Sequence, residues 1–174
     1  MFEGISASPG IAMGQVYLFT KEKVEINKTI VTDVAFELQT FEKAILDSAT
    51  EIAQIKETTF EKMGKEKSEI FEAHLLLVSD PEIKKKVIHI IESQNVNAAW
   101  ALDNVISEFV TIFESMDDAY MKERAADIKD VFSRVEKHLL GLKNQDLSLI
   151  DRDVILVTHD LTPSQTAIMN KNHV

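Results

Sequence analysis

The segment LQTFEKAILDSATEIAQIKETTFEKMG, residues 38–64, decides the fold class of this 174-residue chain. Its apolar residues recur at steps of three, four or seven along one seam, at Leu38, Phe41, Ile45, Ile52 and Ile55, with the polar Ser48 between them. Steps of three and four are typical of an amphipathic α-helix that buries one face. We therefore predict one long helix from about Thr32 to Met63, ended by Gly64.

Four more segments of helical periodicity follow along the chain. The clearest start signal is Asp80-Pro81, because an aspartate suits the N-cap and a proline suits the first helical position. The four helices are predicted over residues 66–78, from 81 to about 91, 97–113 and 118–142. Together with the first helix they predict a bundle of antiparallel helical hairpins.

The two ends of the chain have a different pattern. Residues 1–20 combine a Ser8-Pro9-Gly10 turn with the β-prone run Val16 to Phe19, which predicts two short strands. Near the other end, residues 154–157 form a short β-branched run, and Thr162-Pro163-Ser164-Gln165 predicts a capped helix start. Strands on both sides of a bundle indicate that the bundle is inserted into an α/β domain.

The predicted fold is therefore mainly α with α/β flanks. We place the first part of the α/β domain at residues 1–31, the helical domain at 32–143 and the second part of the α/β domain at 144–174. Because so few strands cannot form a closed sheet core alone, we expect the α/β domain to be incomplete. We therefore expect the chain to be a fragment.

Acidic residues dominate the helical segment. The chain has 29 Asp and Glu against 19 Lys and Arg, a net charge of −10, and residues 32–142 carry 22 acidic and 13 basic side chains, or −9 of that total. Such a surface repels nucleic acid and anionic lipid and favours a basic protein partner.

Several chemistries lack support in the sequence. There is no cysteine, which indicates a reducing, cytoplasmic setting. The longest apolar run, from Ala98 to Leu102, is far too short for a membrane span. Nucleotide-binding and hydrolase motifs and a Glu-x-x-His metal pattern are missing, so we predict no metal site in this chain.

His74, in the segment FEAHLLLV at residues 71–78, is the histidine with two possible interpretations. One interpretation is a helix-surface residue at the edge of an apolar seam. The other is that this very hydrophobic turn leaves Leu76 or Leu77 exposed as an anchor for a partner, beside His74 and acidic residues. Farther along, Arg124 and Asp127 have the spacing of an ordinary surface ion pair.

Four segments together carry a family resemblance. They are GISASPGIAMG at 4–14, IFEAH at 70–74, YMKERAADI at 120–128, and DVILV at 153–157 followed by DLTPS at 160–164. In this order and spacing they resemble Enzyme I of the bacterial sugar phosphotransferase system, the phosphoenolpyruvate-protein phosphotransferase. The resemblance covers essentially the whole chain.

The resemblance implies a swivelling phosphohistidine α/β domain interrupted by a helical domain that docks the small phosphocarrier protein HPr. In such an enzyme the phosphoryl group passes from phosphoenolpyruvate, bound with Mg²⁺ in another domain, to a histidine and then to HPr. That histidine is expected beyond Val174, so no catalytic residue, metal ligand or cofactor is assigned here. We expect a chain that is inactive alone and monomeric, from a homodimeric parent.

The resemblance also implies site residues. The HPr-binding positions are Glu66, His74, Leu76, Leu77, Asp80, Glu82 and Arg124. Lys67 and Thr166 match positions near the phosphorylated histidine. Lys65 replaces an acidic residue of many relatives, which should weaken the attraction of a basic partner locally.

Two alternatives stay open at this point. One is a free-standing helical interaction domain with no part in phosphoryl transfer. The other is a phosphoenolpyruvate-using dikinase or synthase, which shares the phosphohistidine domain but lacks the HPr-docking bundle.

Overall fold

The structure is a computed structural model that describes residues 10–20, 24–142, 147–170 and 172–174. In chain order its elements are β1 (Gln15–Phe19), α1 (Val34–Met63), α2 (Lys65–Val78), α3 (Pro81–Gln94), α4 (Ala98–Ser115), α5 (Ala119–Leu139), a 3₁₀ helix (Leu147–Leu149), β2 (Val154–Thr158) and α6 (Pro163–Ile168). The prediction of five successive helices followed by a strand and a capped helix is confirmed.

The long first helix follows from its seam and its caps. The Asp33 carboxylate accepts a hydrogen bond from the Phe36 amide at 2.9 Å, which fixes the start of α1. Gly64 has φ +83°, a conformation that favours glycine, and ends the helix. The buried positions repeat the predicted spacing and include the polar one: Phe41, Ala44, Ile45, Ser48, Ile52, Ile55 and Thr59.

The other helix boundaries agree with prediction to within a few residues. Asp80 caps α3 by accepting hydrogen bonds from two backbone amides, and Pro81 occupies the first turn. The fifth helix ends at Leu139, three residues before the predicted end, because the chain turns at Gly141 with φ +64°. Asn97 does not cap α4 with its side chain; instead Glu37 of α1 accepts the Ala98 amide at 2.8 Å.

One large core holds the helices together. Helix α1 packs against α2 and α5, while α4 packs against α3 and α5. Because only Gly64 separates α1 from α2, the chain reverses and α2 lies against α1. The centre of the core contains fully buried side chains from every helix of the bundle, among them Phe41, Phe71, Val87, Leu102 and Phe132.

The two strands lie far apart in sequence but pair in parallel. Their register runs from Gln15 opposite Val154 to Phe19 opposite Thr158, so the bundle lies between two paired strands in chain order. A second, smaller core covers one face of this sheet and includes Phe19, Leu147, Ile150 and Val154. The predicted strand and turn before Gly10 lie outside the described residues.

The described residues thus form a mainly helical fold with a small parallel two-stranded sheet, as the sequence predicted in outline. Within these ranges no helix is long and apolar enough to cross a membrane.

Candidate functional site

A surface cavity of about 300 Å³ lies between α2, the end of α4 and α5, and we call it the α2–α5 cavity. Its lining is mostly apolar, with a histidine and three charged residues: Ala73, His74, Leu76, Leu77, Asp80, Phe113, Arg124, Asp127 and Ile128. Five of the seven residues predicted to bind a partner therefore come together here, namely His74, Leu76, Leu77, Asp80 and Arg124.

Helical geometry determines which residues in the hydrophobic turn of α2 are buried and which are exposed. Phe71, His74 and Val78 recur at steps of three and four and are buried against the core. Leu77 is half-buried, and Leu76 points away from the core with 72% of its surface exposed. One of the two leucines proposed as anchors is thus exposed at the cavity, as the sequence interpretation required.

His74 corrects one expectation. The interpretation as a surface residue is wrong, because His74 is 1% exposed. Its ring packs edge-on against Phe71 with 5.5 Å between ring centroids, and its Nε2 lies 3.5 Å from Asp127 Oδ1. Within the described chain neither ring nitrogen makes a hydrogen bond. His74 therefore lies in the wall of the cavity rather than on its rim.

Arg124 and Asp127 form the charged side of the cavity on α5. Arg124 Nη1 lies 2.9 Å from Asp127 Oδ2, which confirms the predicted ion pair, and the Asp127 side chain is only 16% exposed. The guanidinium also lies over the Tyr120 ring at 4.7 Å. Its interaction with Tyr120 is the main cause that raises the pKa of Arg124, and Asp127 adds to it. A guanidinium is charged at any physiological pH, and these contacts hold that charge in place at the surface.

Asp80 has two roles at the other side of the cavity. Its Oδ1 accepts hydrogen bonds from the amides of Glu82 and Ile83 at 2.9 and 3.0 Å, so it caps α3. Because these bonds hold the carboxylate, the position of its negative charge is fixed at the junction of α2 and α3.

The other predicted site residues lie elsewhere. Glu66 and Lys67 are exposed in the first turn of α2, and Glu82 is exposed at the start of α3. Thr166 is half-buried in α6, where its hydroxyl donates to the Thr162 carbonyl at 3.1 Å. These four described residues do not line the α2–α5 cavity.

A second cavity, of about 490 Å³, shares the lining residues Ala73, Arg124 and Asp127 with the first. We call it the Pro163 cavity, since α6 contributes Pro163 to its wall. The remaining lining comes from α2 and α5: Glu69, Ile70, Ala73, Glu123, Arg124, Ala126 and Asp127. The Arg124–Asp127 pair thus lines both cavities.

Sequence reasoning assigned no site role to Phe113, Asp127 or Ile128. The two α5 residues lie three and four positions after Arg124, so helical periodicity could have added them to its face. Phe113 comes from α4, and no local signal links it to α2.

This arrangement suits recognition of a protein surface better than bond-making chemistry. An exposed leucine beside a mostly apolar hollow can bury area against a partner, and the fixed charges around it can orient that partner. Within the described ranges there is no group of three or more side chains that could hold a metal ion.

Comparison with known proteins supplies the family. Residues 3–124 match the family model described as PEP-utilising enzyme, N-terminal. Relatives named phosphoenolpyruvate-protein phosphotransferase from Listeria monocytogenes and Bacillus subtilis are each 45% identical over 99% of this chain. The chain spans 30% of the length of these two relatives.

Solved structures agree with this comparison. A solution NMR structure of Enzyme I is 45% identical, superposes with a TM-score of 0.82, and is matched over 98% of this chain and 70% of its own. The N-terminal domain of Enzyme 1 Nitrogen, at 23% identity and a TM-score of 0.68 over 97% of this chain and 69% of its own, shows the shared fold. The chain therefore belongs to the PEP-utilising enzyme N-terminal family, as the resemblance to Enzyme I predicted.

Proposed function

We propose that this chain is the HPr-docking part of a phosphoenolpyruvate-protein phosphotransferase that acts in sugar uptake in the cytoplasm. The observation that carries the proposal is Leu76, 72% exposed beside the α2–α5 cavity, on a chain similar to phosphotransferases. These relatives carry the phosphotransferase name, which favours this function over the dikinase or synthase alternative.

The hydrophobic part of the interaction would centre on α2. Leu76 and Leu77 line a cavity whose other apolar lining residues are Ala73, Phe113 and Ile128. Burying one leucine side chain contributes about 1.5–3 kcal/mol, so an apolar side chain of the partner packed among these groups would be a main source of affinity.

The electrostatic part would select a basic partner. Residues 32–142 carry a net charge of −9, and Asp80 is fixed at the edge of the cavity by its capping bonds. Glu66 and Glu82 are exposed on the flanking turns and add negative charge at longer range. Arg124 is the cation among the described residues that line the cavity and would pair with a carboxylate or carbonyl of the partner. Lys65 is exposed beside Glu66 and would weaken the attraction locally.

In this proposal the chain positions HPr and does not break bonds itself. Transfer between two histidines requires an in-line approach, and holding the partner in one orientation lowers the entropic part of the barrier. Neither His159 nor His173 lies in a phosphohistidine motif, and His173 Nδ1 is 2.8 Å from Asp153 Oδ1. The phosphorylated histidine of the parent is therefore assigned outside this chain, with Lys67 and Thr166 placed near it by resemblance.

The resemblance implies that Mg²⁺ binds together with phosphoenolpyruvate in another domain, so we assign the ion to another part of the parent protein. The parent is proposed to be a homodimer, and this chain a monomer.

A titration monitored by NMR tests the docking proposal. Adding HPr to the isotopically labelled chain should shift amide signals of residues 73–80 and 120–128, including those of Leu76 and Arg124. The control is an unrelated small basic protein at equal net charge. The proposal fails when HPr produces no shifts, or when the control protein shifts the same signals to the same extent.

A further inference from the structure

Asp130 is a charged residue in the interior of the molecule. It lies on α5 and is 7% exposed, and its Oδ2 accepts a hydrogen bond of 2.9 Å from the hydroxyl of Ser164, which is 3% exposed. A buried carboxylate is stabilised only when hydrogen bonds replace its lost hydration. This bond links α5 to the start of α6, across the boundary between the bundle and the sheet.

Helix α6 and the residues that flank it contact both hydrophobic cores. Ala167 is buried in the core of the bundle and Ile168 packs against it, whereas Leu161 and Met169 pack against the core of the sheet. The start of α6 is fixed by a reciprocal capping box between Thr162 and Gln165. A displacement of α6 would therefore move the sheet relative to the bundle.

The same helix forms one wall of the Pro163 cavity. Pro163 directly precedes Ser164, and Asp130 lies one turn after Asp127, which also lines that cavity. The Asp130–Ser164 bond therefore connects the α6 wall of this cavity to α5, the helix that carries the Arg124–Asp127 pair.

We propose that Asp130 and Ser164 are positioning residues that tie α6 to α5 and so hold it, and with it Pro163 and Thr166, in a fixed place against α1. The structural part of this inference needs no partner. Its consequence for phosphoryl transfer rests on the proposed function, because Thr166 is placed near the phosphorylated histidine by resemblance.

Hydrogen exchange of the 174-residue chain tests the structural part. In α6 the amides of Thr166 and Met169 donate to the carbonyls of Thr162 and Gln165. Ser164→Ala should speed exchange of these two amides about tenfold, equivalent to about 1.4 kcal/mol, and leave α3 unchanged. The matched control is Ser133→Ala, which removes a hydroxyl that bonds to the Asp130 carbonyl within α5 itself.

Two variants of Asp130 separate the hydrogen bond from simple packing. Asp130→Asn keeps an acceptor oxygen and should retain most of the protection of the α6 amides against exchange. Asp130→Leu should lose that protection, as Ser164→Ala does. The proposal is overturned when the α6 amides exchange no faster in Ser164→Ala than in Ser133→Ala. It is also overturned when Asp130→Asn and Asp130→Leu have equal effects on that exchange.

The functional consequence is measured in the full-length parent. Ser164→Ala should lower kcat for transfer to HPr about tenfold and leave KM for HPr unchanged, because the α2–α5 cavity stays intact. A change confined to KM would contradict the positioning role. Failure of the unaltered chain to bind HPr would count against the proposed function alone, since the exchange comparison is made without HPr.

Discussion

Glu136, half-buried on α5, is the group whose titration should be visible in the stability of the protein. Burial, and secondly the charge of Asp103 on α4, raise the pKa of Glu136 from 4.5 to about 7. A carboxyl with a raised pKa in the folded state destabilises the fold as pH rises, because the unfolded chain loses its proton first. This destabilisation develops between about pH 4.5 and 7 and is complete above pH 7.

The gap between the two pKa values corresponds to about 3 kcal/mol at most, and partial access of water reduces this to about 2 kcal/mol. Glu136→Gln removes the titration. The variant should therefore gain about 2 kcal/mol over the unaltered chain at pH 8 and much less at pH 5. Urea unfolding at the two pH values gives both differences. Glu57→Gln, an exposed substitution on α1, is the control and should change neither. An equal effect of Glu136→Gln at pH 5 and pH 8 would refute the reasoning.

Three further predictions concern the core, the N-cap of α3 and the proposed binding of HPr. Phe71→Ala should cost about 3–5 kcal/mol in urea unfolding, because Phe71 is 1% exposed and packs against His74. Asp80→Ala should cost about 0.5–2 kcal/mol through loss of the α3 cap, whereas Asp80→Asn, which keeps the acceptor, should cost much less; equal losses would contradict the capping role. Raising the salt from 50 to 500 mM should weaken HPr binding about fivefold by calorimetry, since exposed charges are screened, and a salt-independent Kd would contradict the electrostatic part of the proposal.

The helices were predictable because their signals are local. The seam of α1, the Asp80-Pro81 start of α3 and the capping box at Thr162 each depend on residues within a few turns of one another. Such patterns persist in the fold when the buried face they define matches the core that forms around it.

Features that depend on distant residues could not be predicted in the same way. The parallel pairing of β1 with β2 joins the two ends of the chain, and the Ala98 amide is bound by Glu37 from another helix. The burial of His74 also depends on α5, which brings Asp127 to within 3.5 Å of its ring. Sequence spacing alone left His74 between a surface and a site interpretation, because it does not say which neighbour covers that face.

In the candidate site, too, features with local signals could be predicted and features that depend on distant residues could not. An exposed leucine, Leu76 or Leu77, could be predicted because the turn around it is more hydrophobic than one helix face can bury, and the structure shows that Leu76 is the exposed one. The cavity beside it required the end of α4, since Phe113 forms part of its wall. Resemblance assigned Arg124 to the binding positions and sequence spacing predicted its ion pair with Asp127, whereas the structure added Asp127 to the lining of the cavity.

The most direct test of the central claim is the affinity for HPr of a Leu76→Asp variant, measured by calorimetry. Leu46→Asp is the matched control, because Leu46 is also exposed, at 66% against 72% for Leu76, and lies on α1 outside the cavity. Losing the burial of one leucine should raise Kd about 10- to 100-fold for Leu76→Asp, with little change for Leu46→Asp. Equal affinities for the two variants would contradict docking at the α2–α5 cavity.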